Sequence, residues 1–272
     1  MQHQYDKSSL IGCLFDSSTS EPLDLILGYL DFKSIMRLRE THRDFRKLIG
    51  LRPPNLKLRS ITLDLGMTQI SLSLQREDRL NQEGDPFDAE IKYIQEDKNC
   101  RIENNESLKT IWENKSIYDA AFRNLQFVLS CQGSLLFNFM ITCENSKDRD
   151  YKRKLSKFHE KLYQYLHYRR NPLPVHMLHM SIPAKCEHLL ASVFNDLDPS
   201  AINSLQIDNN NARAPEDTRL RIGRITNTQQ WMNLDFVCIN QGFQVAAPFA
   251  EFIHIPVRRV NHHPDAIARF WE

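Results

Sequence analysis

The chain has 272 residues, 41% hydrophobic and 25% charged, with a formal net charge of +1 at pH 7. That length suits one large domain or a small module joined to a larger one, and that balance is one of an ordinary globular protein with no global pull toward nucleic acid or a membrane surface. No apolar run approaches the roughly 20 residues of a membrane span. The first residues, MQHQYDKSSLIGCLF, lack the basic start of a signal peptide, so the expected location is intracellular, cytoplasmic or nuclear.

Six cysteines (Cys13, Cys100, Cys131, Cys143, Cys186, Cys238) lie far apart without a C-x-x-C and are expected to be reduced thiols. The eight glycines never cluster. A phosphate-cradling loop needs several within a few positions, which argues against P-loop and Rossmann nucleotide sites.

Residues 1–19 are polar and serine-rich and read as a flexible lead-in. Residues 20–52 read as a helical module. Pro22 opens its first turn, and Leu23, Ile26, Leu27 and Leu30 recur at helical period. Asp31 reads as an N-cap, and a second stripe follows through Phe32, Ile35, Leu38, Phe45, Leu48 and Ile49 until Pro53 and Pro54 stop the run. Helices this short cannot bury a core of their own, so the rest of the chain, a partner, or both must cover them.

Residues 57–272 read as an α/β region. Leu58–Leu65 and Ile70–Leu74 alternate as strands around a turn near Gly66, and Ala89, Ile91 and Tyr93 as a third; Arg76–Pro86 and Arg101–Ser116 are polar and read as loops. A helix over Tyr118–Leu129 then begins a regular alternation. Strands are predicted at Leu135–Thr142, Pro174–Ile182, Ser204–Asp208, Leu234–Ile239 and Phe252–Val257. Between and after them come helices at Tyr151–Tyr168, Cys186–Phe194, Thr226–Asn233 and from Pro264. Strand starts about 30 to 40 residues apart predict right-handed crossovers and a largely parallel sheet. The expected fold class is therefore α/β, a curved stack like a leucine-rich repeat, with a single compact α/β domain as the alternative because no strict repeat consensus is visible.

Catalytic and metal patterns are missing from the sequence. His176 and His179 sit three apart on a predicted strand and so face opposite ways. His262 and His263 have no further ligands at metal spacing, and there is no H-E-x-x-H or G-x-S-x-G. The expectation is a protein that is not an enzyme and carries no cofactor or metal. The basic run from Lys147 to Arg170 reads as a solvated helix face, and Trp112, Trp231 and Trp271 as packing residues, which argues against nucleic acid as a partner. The outward face of the sheet is the natural protein-binding surface. Strand alternation assigns to it Met177, His179, Gln206, Asp208, Asp235, His254 and Arg258.

Two stretches carry a resemblance to known families. P-L-D-L-I-L-G-Y-L-D-F-K-S from Pro22, with L-R-E-T-H-R-D-F-R-K-L-I from Leu38, resembles an F-box. IKYIQEDKNCRI, YDAAFRNLQFVLS and TQQWMNLDFVCIN, with FAEFIHIPV behind them, are similar to the FTH domain of the nematode-expanded F-box/FTH family. The resemblance implies a substrate receptor of an SCF-type ubiquitin ligase. Pro22, Leu23, Ile26, Leu30 and Phe32 would bind a Skp-type adaptor, and through it a cullin, while the α/β region holds a target protein. The first helix is about three residues shorter than that family's pattern. That shortening favours an alternative expectation, a ligase-independent protein- or RNA-regulatory scaffold with a vestigial F-box.

Overall fold

The structure is a computed structural model that describes residues 21–30, 32–76, 89–104, 109–144, 146–182, 187–209, 219–220, 223–239, 244–245 and 257–260. The lead-in, Asp31, most of the Arg76–Pro86 stretch, His254 and the helix predicted from Pro264 lie outside the described residues.

Three helices open the described chain: α1 (Glu21–Tyr29), α2 (Phe32–Thr41) and α3 (Arg43–Leu51). Pro22 falls in the first turn of α1, where its missing N–H costs nothing. His42 caps α3 by accepting the Asp44 N–H on Nδ1 at 3.2 Å. The module does not stand apart. Leu27, Phe32, Ile35 and Ile49 are buried in the same apolar core as the α/β region.

Five strands follow as an antiparallel meander: β1 (Leu58–Leu65), β2 (Gln69–Arg76), β3 (Ala89–Glu96), β4 (Asn99–Asn104) and β5 (Lys109–Trp112). Gly66 turns β1 into β2, and a Cβ there would sit 2.5 Å from the Gln69 carbonyl oxygen, so only glycine fits. The strands β4 and β5 correct the reading of 101–116 as a loop. Only Cys100 is fully buried on them, with Ile102 and Trp112 partly so. Their other face is polar, with Arg101 bridging Glu96 at 2.8 Å and Glu103 at 2.7 Å.

The alternation predicted from residue 117 is observed as far as the strand Phe236–Ile239, whereas the strand predicted at Phe252–Val257 lies, but for Val257, outside the described residues. It runs α4 (Ile117–Ser130), β6 (Leu136–Cys143), α5 (Arg149–His167), β7 (Val175–Ile182), α6 (Glu187–Phe194) and β8 (Ser204–Asn209). Then come β9 (Arg219–Leu220), α7 (Gln229–Met232), β10 (Phe236–Ile239), β11 (Gln244–Val245) and β12 (Val257–Val260). The short β9 and β11 pair with each other, and the other ten strands form one sheet, ordered β12-β10-β8-β7-β6-β1-β2-β3-β4-β5. From β1 to β12 every pairing is parallel, and chain order is kept from β6 outward. Each new strand is laid beside the last, as in a solenoid. The fold is α/β, as expected, with β1 joining the parallel run to the antiparallel meander.

A repeat emerges once the strands are aligned by register. Ile61 and Leu63 stack on Phe139 and Ile141, then Leu178 and Met180, then Leu205 and Ile207, and finally Val237 and Ile239, and these pairs are preceded three residues earlier by Leu58, Leu136, Val175, Ile202 and Leu234. All fifteen are at most 2% exposed. Each set has the spacing L-x-x-L-x-L, in which a three-residue step at the strand entrance precedes ordinary alternation. That is the spacing of leucine-rich repeats.

A second position recurs four residues before the first apolar one. Gln132 precedes Leu136 and Gln230 precedes Leu234, and both are buried. Each ties its turn to the neighbouring unit: Gln132 Nε2 donates to the Leu58 carbonyl at 3.1 Å, and Gln230 Nε2 donates to the Asn195 and Leu197 carbonyls at 2.8 Å.

Helix α4 lies against α5, and α5 against α6. Ser116, Asp148 and Thr228 cap α4, α5 and α7. Asp148 accepts the Tyr151 N–H at 2.8 Å from an exposed position. Asp148→Ala should therefore cost about 1 kcal/mol and lower Tm by about 2–4 °C in a thermal melt, with no change in the sheet.

Candidate functional site

Two surfaces were expected to carry function, and the structure divides each of them. On the parallel strands, the residues alternating with the buried rows form a polar face. Its register sets Met140, His179 and Gln206 side by side, with Thr142, Ser181 and Asp208 one step along. Of the predicted residues, Met177, His179, Gln206 and Asp208 share this face and are half-buried. Three are joined. His179 Nε2 meets Asp208 Oδ2, and Gln206 Nε2 donates to both Asp208 oxygens at 3.4 Å. A carboxylate held by a histidine and an amide is a fixed polar patch that a partner can read.

Asp235 does not belong to that face. It precedes β10, accepts from Asn203 Nδ2, and donates its N–H to the Asn203 carbonyl at 2.9 Å. The three-residue step from Leu234 to Val237 shifts the alternation, so Phe236 and Cys238 fall in register with Ser204 and Gln206 of the polar face, Phe236 half-buried and Cys238 buried. Arg258 is opposite Val237 in the register of β12, and His254 lies outside the described residues.

Where β1 and β6 end, Asp64, Gln69, Ser71, Thr142 and Glu144 line a shallow depression. Its polar groups hold the loops together: Thr142 Oγ1 donates to Asp64, and Glu144 accepts the Met67 N–H at 2.7 Å.

On the helical module, α1 is apolar around much of its circumference. Leu27 turns inward, while Leu25 is 61%, Ile26 47% and Tyr29 84% exposed. Leu51, at the end of α3, is 80% exposed. Of the five residues assigned to an adaptor, Ile26 is exposed and Leu30 half-buried; the side chains of Pro22 and Leu23 lie outside the description. Phe32 corrects that assignment. It is 3% exposed, with its ring centroid 6.4 Å from that of Phe127, so it anchors the module to α4. Arg39 lies 3.6 Å over the other partner of this contact, the Phe127 ring. Leu25 and Tyr29, which the periodicity did not select, are the residues that project.

Cys100, Cys131, Cys143 and Cys238 are buried thiols outside any disulfide. Burial pushes Cys131 up to about 12 and Cys100 up to about 11, which keeps both unreactive at neutral pH. His176 stacks on Phe137 at 5.0 Å, on the strand face opposite His179. Among the described residues no group of three or more His, Cys, Asp or Glu could hold a metal, and no helix is long and apolar enough to cross a membrane. Along α5, Lys154 and Arg153 pair with Asp150, and Lys161 with Asp119, as a solvated charged face does. Trp231 is in the core.

Comparison with protein-family models, with curated proteins and with solved structures finds no match for this chain.

Proposed function

We propose that the chain is a non-catalytic substrate receptor. Its N-terminal helices dock a Skp-type adaptor of an SCF ubiquitin ligase, and through it a cullin, while the open face of its parallel sheet holds a target protein. Its mechanism is proximity, which raises the local concentration of the target near a conjugating enzyme supplied by other subunits. The observation that carries this reading is the exposed apolar strip of Leu25, Ile26 and Tyr29 on a helix anchored from behind by Leu27 and Phe32. Large apolar side chains grouped on one helix face mark contact surfaces.

The test is co-expression with a Skp-type adaptor followed by size-exclusion chromatography. Wild type should co-elute with the adaptor. Ile26→Asp should weaken the complex by more than tenfold, because it places a charge in a face that must be desolvated. Ile26 is 47% exposed, so the variant should keep its native circular dichroism. A folded wild type that never co-elutes removes the ligase reading.

One observation favours a second reading. Phe32, which the F-box resemblance assigns to the adaptor, is spent inside the protein. A chain that keeps the module as an internal support would be a ligase-independent scaffold binding through its sheet face.

A further inference from the structure

Helices α2, α3 and α4 and strands β3 to β5 line an open pocket of about 460 Å3, distinct from the sheet face and from the exposed strip of α1. Among the described residues, five cationic side chains, Lys33, Arg37, Arg39, Arg46 and Arg123, and one carboxylate, that of Glu90, line it. Lys92 lies 3.3 Å from Glu90, so even that charge is partly balanced from outside. Lys33, Arg37 and Arg39 make contacts of their own within the chain. Arg46 and Arg123 are exposed arginines at the cavity wall. Arg46 Nε donates to the Arg39 carbonyl at 3.2 Å, which holds its side chain against α2, and Arg123 lies 5.4 Å over the Trp112 ring. Met36, Ile91 and Ile102 supply an apolar wall, and Asn124 lines it as a polar group only 8% exposed.

Arg46 and Arg123 bring two like charges to one concavity, which is unfavourable. Two cations about 8 Å apart repel by roughly 2 kcal/mol at an effective dielectric of 20. A guest anion relieves that repulsion. The planar guanidinium fork matches a phosphate through paired hydrogen bonds better than an ammonium does. The volume is that of a small-molecule site.

We propose that this cavity binds a small phosphate-bearing ligand of about mononucleotide size, with Arg46 and Arg123 holding the phosphate and the apolar wall receiving the remainder. Such a ligand touches both the helical module and the meander, so binding should strengthen their junction. Docking through α1 plays no part in this inference.

The experiment is isothermal titration calorimetry with thermal melts in 0.15 M salt, using inorganic phosphate, AMP, ATP and citrate as probes. AMP or ATP should bind with a Kd below about 1 mM and raise Tm with concentration. The double variant Arg46→Glu with Arg123→Glu should weaken binding at least tenfold while its ligand-free melt stays cooperative. If that variant does not fold, Arg123→Gln alone should still weaken binding by severalfold. A charge-matched control on the outer helix, Lys152→Glu with Lys157→Glu, should bind as wild type does. No binding by either nucleotide overturns the proposal, as does unchanged affinity in the arginine variants. Citrate binding as tightly as ATP overturns the phosphate assignment, and inorganic phosphate binding as tightly overturns the size of the ligand.

Discussion

Gln132→Met should destabilise the protein by roughly 2–5 kcal/mol in urea unfolding, although it preserves length and changes no apolar contact of the core. The Gln132 side chain is fully buried in the turn between α4 and β6. Its Oε1 accepts the Leu58 N–H at 3.0 Å, and its Nε2 donates to the carbonyls of Leu58 at 3.1 Å and Ser134 at 2.9 Å. One amide thus serves the backbone at the entrance of β1, where the register with β2 shifts between Leu58 and Ser60. A thioether cannot replace these bonds, and each buried backbone group left unpaired costs about 1–3 kcal/mol. The expected loss is a large fraction of the 5–15 kcal/mol typical of a folded domain. Gln230→Met, at the corresponding place before β10, should act in the same direction by removing both of its bonds to carbonyls at the end of α6. A loss below about 1 kcal/mol for Gln132→Met would show that the turn is held by packing and not by this amide.

This repeat position explains why the solenoid was only half legible from sequence. Alternating helix and strand patterns announced the α/β class and placed β6, β7, β8 and β10. The L-x-x-L-x-L spacing was hidden because Leu, Val, Ile, Met and Phe substitute freely in it. The crossovers are also unequal: α5 has 19 residues, whereas α7 has 4. What a core requires at these places is apolar volume, and several residue types supply it. The three-residue step had a further cost. Strict alternation from Leu234 puts Phe236 inward and Asp235 outward, whereas Val237 and Ile239 are the buried pair.

The surfaces were legible to different degrees for a similar reason. Met177, His179, Gln206 and Asp208 were found because simple alternation holds within β7 and β8. In α1 the residues Leu23, Leu25, Ile26 and Leu27 are apolar on several sides, so period alone cannot say which side meets the core. Packing decides it, through Leu27 inward and Leu25 and Tyr29 outward. The strands β4 and β5 were missed because an edge of the sheet with one solvated face gives half the apolar signal, and their polar residues satisfy each other in ion pairs.

Acid should destabilise the protein through one residue more than through any other single histidine described. His159 lies on the inner face of α5, where Leu155, Phe158, His159 and Leu162 follow the i, i+3, i+4, i+7 spacing of a core stripe. It is 1% exposed, with Nε2 at 3.9 Å from Cys143 Sγ and with Nδ1 buried and without a hydrogen-bond partner among the described residues. Burial, helped by the nearby His188, lowers its pKa from 6.5 to about 3. The folded ring therefore stays neutral through a range in which the unfolded chain takes up a proton. Its contribution is intact above about pH 6.5 and is lost as pH falls toward 3, at about 1.4 kcal/mol per pH unit. Carboxylates add their own acid sensitivity, so the informative comparison is with His159→Leu, which removes the titrating group and fills the stripe with an apolar side chain. Between pH 6.5 and 5.0 wild type should lose about 2 kcal/mol more than the variant in urea unfolding. At pH 7.5 the variant should match or exceed wild type, because an orphaned buried nitrogen has been replaced. Parallel pH profiles for the two proteins would mean that water reaches the ring and that this part of α5 opens far more readily than its packing against Cys143 and Phe158 implies.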